Sequence, residues 1–377
     1  MVIVSSGYLP QPATEGGAVE TLTDMLIEYN ERVLHKKQYV FSVDNEAAID
    51  MSKKYVYTTF IYVHSNSLKY RIIELFCKVA RKLFKINCGN AYIREVRKLS
   101  KELKLSNQDL LIENDYIYLK YLKDIFNNKK ILHLHNDYIN SDKIINCNIL
   151  GEYTKIITVS QYIADRVKEI DNKLPVCTVY NGIEKAFFVP SNENKSDNGK
   201  YIMFSGRLKP YKGIEELIVA FNKIKNKNVF LYVAGLPDFI NKNDHSYLDY
   251  LKTLSSDKIR FLGYVKREEL IKYYSNCLFS VIPSQWEEPF GLSLVEPMAA
   301  GKPIIRSDCK AFDEIIDRKS SIVILRGENF IDQLTKEMDY LIENEEERIE
   351  LGKKSYERAI NFTSETYCAH MYRELET

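Results

Sequence analysis

Ser280-Val281-Ile282-Pro283-Ser284-Gln285-Trp286-Glu287-Glu288-Pro289-Phe290-Gly291-Leu292-Ser293-Leu294-Val295-Glu296-Pro297-Met298-Ala299-Ala300-Gly301 is the stretch from which the rest of the chain can be read. It predicts a buried strand over 278–282, a polar turn opened by Pro283, and a helix that begins near Phe290-Gly291 and stops at Gly301. Glu288 falls in the turn and Glu296 inside the helix, so the two flank a helix N-terminus whose free N–H groups would come from Phe290, Gly291 and Leu292. Such a terminus carries about half a positive charge and attracts phosphate. Gly291 allows a ligand close to the backbone, and a carboxylate accepts hydrogen bonds from paired hydroxyls, so the natural ligand is a sugar joined to a phosphate. The bland alternative is an acidic turn before an ordinary core helix, which Pro297 should kink.

Two glutamates with seven residues between them around Pro289-Phe290-Gly291, continued by Met298-Ala299-Ala300-Gly301-Lys302-Pro303, resemble the signature of the retaining, nucleotide-sugar-dependent glycosyltransferases of family 4, the glycosyl transferases group 1. The resemblance implies an α/β chain of the GT-B fold, with two Rossmann-like doubly wound domains facing across a cleft. Residues 1–185 would form the acceptor-side domain, completed by a C-terminal helix over 361–377. Residues 186–360 would bind the nucleotide-sugar donor.

The whole chain agrees with two soluble domains: 377 residues exceed what one compact core accommodates. With 28% charged residues and a net charge of +1, nothing points to nucleic acid as a partner. The seven cysteines are scattered and show no C-x-x-C spacing, so neither a zinc site nor a disulfide framework is expected, and reduced thiols in a cytoplasmic protein are the economical reading. No signal peptide and no run of about 18 apolar residues is recognisable.

Along the chain, a first strand over 1–4 leads through Gly16-Gly17 into a helix over 18–29, a unit friendly to phosphate, although a bare glycine pair can equally be a turn. The family carries such a pair facing donor phosphate or acceptor. The segment 68–104 is basic and amphipathic, with Ile72, Leu75, Phe76, Val79, Leu83 and Phe84 on one face. Two readings stay open: a peripheral docking surface for anionic membrane at the inner face, or core-packed helices with solvated lysines. Strands over 109–112 and 130–134 end at Glu113 and His135, where open α/β sheets bind ligands, while His133 within the strand fits a structural role. The resemblance places His135 beside the reacting carbon of the donor sugar. Glu113 stands where many relatives carry another histidine, a departure that bears on acceptor recognition.

Ser160 is a candidate N-cap, Asn181-Gly182 closes the first half, and the polar run 190–200 reads as a linker. After a strand over 201–204, Gly206-Arg207 and Lys212 precede a helix over 214–224. Arginine can fork two phosphate oxygens and lysine supplies a point charge, so this turn suits a diphosphate, and the family assigns it that task. Gly263-Tyr264-Val265 resemble the place where relatives bind the nucleotide base, and Lys310-Ala311-Phe312 replace small residues of a glycine-rich turn near the donor sugar.

The resulting expectation is a transfer from a UDP-sugar to a hydroxyl of a glycan or lipid-linked acceptor in bacterial surface polysaccharide or glycoconjugate assembly. The resemblance implies that Arg207 and Lys212 balance the leaving diphosphate, that Glu288 holds sugar hydroxyls, and that Glu296 holds the ribose. No cofactor and no metal are expected. A phosphorylase, a sugar-nucleotide hydrolase, or a non-catalytic nucleotide-sugar-binding subunit of another transferase would use the same residues.

Overall fold

Short apolar runs separated by helical periodicity have one economical solution, strands buried on both faces of a parallel sheet with helices packed over them. The computed structural model describes residues 1–65, 67–84, 89–189, 200–237 and 246–377. It divides into two units, Met1–Gly182 with Glu365–Thr377, and Ile183–Ser364. The linker-like run 190–199, and residues 85–88 of the basic stretch, lie outside the described residues.

The first unit holds seven strands: β1 (Val2–Val4), β2 (Gln38–Val43), β3 (Thr58–Val63), β4 (Leu110–Glu113), β5 (Lys130–Leu134), β6 (Lys155–Thr158) and β7 (Val176–Thr178). Their order is β3-β2-β1-β4-β5-β6-β7 and every pairing is parallel. The order reverses between β1 and β4, which opens a ligand crevice at the carboxyl ends of those strands. Ile3, Val40, Leu111, Ile131 and Ile157 build its core with Tyr367, Met371, Tyr372 and Leu375 from the final helix, Ser364–Glu376.

The second unit repeats the plan with β8 (Lys200–Ser205), β9 (Val229–Ala234), β10 (Ile259–Gly263), β11 (Ser280–Ile282), β12 (Ile304–Ser307) and β13 (Ile322–Ile324), in the order β10-β9-β8-β11-β12-β13. Its switch point lies between β8 and β11, the strands that deliver Arg207 and the Glu288 turn. β10 ends at Gly263, where a φ of 69° and a register shift break the ladder. Lys310-Ala311-Phe312, in place of a glycine-rich turn, open the helix Lys310–Ile315, anchored by fully buried Phe312. Two helices follow β13, Phe330–Glu343 and Glu345–Ala359, divided by extended Asn344.

The basic stretch splits as well. The helix Ala91–Glu102 buries Tyr92, Ile93 and Val96, and its cations Arg97 and Lys98 pair with Asp124 and Glu95. That half is an ordinary core-packed helix. The helix Leu68–Phe84 instead leaves Ile72, Leu75, Phe76 and Val79 exposed. The six described cysteines form no disulfide with one another, and no described helix is long and apolar enough to cross a membrane.

One backbone approach ties β11 to the helix after β8. Gly213 is left-handed (φ 73°), and a Cβ there would sit 1.9 Å from the Pro283 carbonyl oxygen. Gly213→Ala should therefore destabilise the protein by about 2 kcal/mol or more, a lower urea midpoint at unchanged slope being the measurement.

Candidate functional site

In the second unit, β8 ends at Ser205 and the chain turns through Gly206 and exposed Arg207 into the short turn Pro210–Lys212. Gln285 N–H donates to the Tyr211 carbonyl (2.8 Å), joining this turn to the one after β11. The Lys212 ammonium then lies 2.6 and 2.8 Å from the two oxygens of Glu288. Ser284 Oγ donates to the same carboxylate at 2.6 Å, and the Trp286 ring stands 5.6 Å from the ammonium. Both members of the pair are largely shielded from water. Nearby Arg207 forms no ion pair among the described residues, so it remains available to an incoming anion.

Glu287 does something else. Its carboxylate accepts from Lys310 N–H (2.9 Å) and pairs with Arg326, which also holds Asp308 at 2.7 Å. Of two adjacent glutamates, one clasps the helix Lys310–Ile315 and the other meets Lys212.

The central helix runs Leu292–Ala299, starting later than the sequence suggested, because left-handed Gly291 (φ 108°) is its N-cap. Leu294 N–H is taken by the Gly291 carbonyl (2.9 Å), so the open donors are those of Leu292 and Ser293. The Phe290 ring is buried, edge-on to Phe362 at 6.0 Å. Phe312 fills the space beside Gly291, where a Cβ would come within 2.5 Å of its ring. Within the helix, buried Glu296 accepts from Tyr274 Oη (3.3 Å) and lies 3.3 Å from Arg267, whose guanidinium also pairs with Glu184. Burial raises the Glu296 carboxyl and Arg267 opposes this. Arg267, Tyr274, Ser284 and Trp286 were not singled out in the sequence; only the proximity of the last two to Glu288 could have suggested them. Gly263, Tyr264 and Val265 emerge at the end of edge strand β10, Tyr264 being exposed.

In the first unit, Gly16 and Gly17 both have positive φ, and Gly17 caps the helix Ala18–Tyr29. A Cβ on Gly17 would meet the Glu20 carboxylate at 2.2 Å. Buried Glu20, its carboxyl raised by burial, accepts from Ser6 Oγ (3.0 Å), so a carboxyl group occupies the loop's edge and suits a hydroxyl-bearing ligand better than a phosphate. Asp24, pushed up to about 7 by burial, pins the same loop through Ala13 N–H at 2.8 Å.

His135 is nine-tenths buried just past β5, and its Nε2 lies 2.8 Å from Glu113 Oε2. The same oxygen is 3.1 Å from His133 Nδ1, and the two imidazole centroids are 4.0 Å apart. Burial raises the Glu113 carboxyl, but the two imidazoles, His133 first, more than reverse this and hold it near 2. Burial, reinforced by His133, lowers His135 to about 4 against the pull of Glu113. The pair is thus a carboxylate and a neutral imidazole at pH 7, and since a carboxylate only accepts, Nε2 carries the hydrogen. Glu113, His133 and His135 are also the described residues whose ligand atoms, all within 4.8 Å of one another, could surround a cation.

The glycosyl transferases group 1 family matches residues 187–358. The chain is 30% identical over 298 residues to the uncharacterized glycosyltransferase MJ1178 of Methanocaldococcus jannaschii, covering 74% of this chain and 78% of that protein. It is 27% identical over 179 residues, 48% of this chain and 45% of the other, to the N,N'-diacetylbacillosaminyl-diphospho-undecaprenol alpha-1,3-N-acetylgalactosaminyltransferase of Campylobacter jejuni. Among solved structures, Anabaena Alr3699/HepE in complex with UDP and glucose superposes with a TM-score of 0.75 at 16% identity, covering 100% of this chain and 99% of that one. The fold is therefore GT-B, two parallel-sheet α/β domains.

The histidine–carboxylate cluster makes stability depend on pH. An unfolded histidine takes its proton near 6.5 and folded His135 only near 4, so the unfolded chain binds more protons in between and stability falls on acidification through that window. Glu113, lowered from 4.5 to about 2, adds a loss only below 4.5. The unfolding free energy from urea titrations should fall by about 2 kcal/mol between pH 6.5 and 4.5, and His135→Gln should flatten that part of the profile.

Proposed function

Because the chain belongs to the glycosyl transferases group 1, we propose that this glycosyltransferase moves a hexosyl or N-acetylhexosaminyl group from a UDP-sugar to a hydroxyl of a glycan or lipid-linked acceptor, with retention at the anomeric carbon. Surface polysaccharide or glycoconjugate assembly at the cytoplasmic face is the setting this reading favours. The observation that carries it is the shielded Lys212–Glu288 pair at the switch point of the second sheet, in the same turn as Arg207, which forms no ion pair among the described residues. Two cationic side chains and a carboxylate there suit a ligand that is anionic at one end and polyhydroxylated at the other. The UDP and glucose of the Anabaena structure, and the diphospho-undecaprenol acceptor named for the Campylobacter relative, are in keeping with it.

In this reading the diphosphate draws Lys212 and Arg207, and Glu288, held by Ser284, turns its oxygens to sugar hydroxyls. Glu296, fixed by Tyr274 and Arg267, accepts from the ribose. The bond from the anomeric carbon to the phosphate oxygen breaks with its electron pair leaving on the diphosphate. There the two cations and the Leu292 and Ser293 N–H groups stabilise the charge. The acceptor oxygen bonds to the carbon on the same face, and its proton passes to a phosphate oxygen. His135, neutral and oriented by Glu113, offers a polar contact but no charge to a ligand at the end of its own sheet. Arg207 and Lys212 supply the countercharge that a metal would otherwise provide, so we propose a metal-independent reaction.

Calorimetry should find UDP bound in preference to GDP and ADP, with UDP released from its sugar conjugate only when an acceptor is added. Release of free sugar or sugar 1-phosphate as the main product would replace this reading with the hydrolase or phosphorylase. Lys212→Ala should lower turnover at least about a hundredfold in a folded protein, and unchanged turnover would remove the diphosphate assignment.

A further inference from the structure

The helix Leu68–Phe84 has two apolar faces, and only one is packed. Cys77 and Ala80 are buried and Ile73 is half-buried on the inner side. On the outer side Leu68 is 76% exposed, Ile72 60%, Leu75 63% and Phe76 62%, with Val79 continuing the line. At 100° per residue these five side chains span an arc of roughly 100°, a continuous stripe one helix wide. Scattered exposed apolar residues need no explanation, but a stripe of five large ones on one helix does.

The flanking charge says what covers it. Arg71 and Lys78 are exposed along one edge of the stripe, and residues 68–84 hold five basic residues against one acidic. That acid, Glu74, is turned inward: it accepts from Ala91 N–H at 3.0 Å and lies 3.7 Å from Lys78. A second copy of the same face would set cation against cation. A sheet of anionic headgroups over acyl chains matches both the apolar stripe and its basic margin.

The face is also wired to the ligand end of its own sheet. Next to the Glu74–Ala91 contact, Asn90 donates to Tyr118 Oη (3.0 Å), and Tyr118 Oη donates to the Ser6 carbonyl (2.9 Å), two residues beyond β1. We propose that the helix Leu68–Phe84 docks the protein onto anionic phospholipid, with Ile72, Leu75, Phe76 and Val79 entering the acyl boundary and Arg71 and Lys78 on the phosphates. It thereby brings the loop after β1 to an acceptor carried in the same lipid surface. The docking stands on the helix alone; only the acceptor clause rests on the transferase reading.

The test is co-sedimentation of the full chain with phosphatidylcholine vesicles, with and without phosphatidylglycerol. Sedimentation is expected only with phosphatidylglycerol and should weaken with added salt. A variant combining Ile72→Ser, Leu75→Ser and Phe76→Ser should bind at least about tenfold more weakly, and one combining Arg71→Glu and Lys78→Glu should also lose binding. Both should keep the wild-type circular dichroism and UDP affinity, since all five side chains are exposed. Wild-type protein that stays in the supernatant, or a triple variant that sediments like wild type, overturns the proposal. So does a concentration-dependent dimer abolished by the triple variant, which would give the face to a second copy. UDP binding is read separately: its failure with docking intact would remove the transferase reading and leave the membrane surface standing.

Discussion

No side chain fits at residue 213, and the second unit is arranged around that fact. With Gly213 lying against the Pro283 carbonyl, the turn before one helix and the turn after β11 have to run side by side. Lys212 and Glu288 then meet at 2.6 Å although 76 positions apart. A shielded ion pair is a poor source of stability, because taking both charges from water costs about as much as their attraction returns. Its persistence rests on what surrounds it, the Ser284 hydroxyl on one carboxylate oxygen and the Trp286 ring over the cation. Such a pair is better suited to exchanging partners than to holding a fold together.

The two sheets were legible because parallel strands buried on both faces leave an apolar run that few other structures produce. Ser160 as an N-cap was legible for a similar reason: its Oγ accepts from Ile163 N–H at 3.2 Å, a purely local bond. Lys212 and Glu288 were each picked out, and the structure brings them together; that they would neutralise one another depends on a backbone approach no local pattern reports. Phe312 was noticed as out of place, yet its ring packs beneath Gly291 rather than lining open space. The three-residue strand β13 is too short to carry a period, and the partners of Glu296, half-buried Arg267 and buried Tyr274, come from a helix that reads as charged surface.

The segment 68–104 shows the limit most plainly. Periodicity measures how apolar residues are distributed around an axis, not which way the axis is turned. In Ala91–Glu102 the apolar face is inward, as expected of a core helix, while Leu68–Phe84 satisfies its unit with a second, smaller set of residues and leaves the larger set outside. The cluster at the end of β5 carries the same lesson for charge. Glu113 and His133 look incidental one at a time, but across adjacent parallel strands their register makes them partners. Together with His135 they form a cluster in which burial and the neighbouring rings set the protonation of Glu113 and of His135.

The final helix has a consequence for how the protein is made. Tyr367, Met371, Tyr372 and Leu375 belong to the core of the first unit, and Lys155 and Lys129 bond to Glu374 and Glu376. A ribosome delivers residues 1–182 first, at about 5–20 residues per second, yet that unit lacks a wall of its own core until residues 365–377 have been made and have left the exit tunnel. The second unit, contiguous from Ile183 to Ser364, is complete earlier. Birth order and completion order are therefore reversed, and the nascent first sheet waits with an open apolar flank for the tail that closes it.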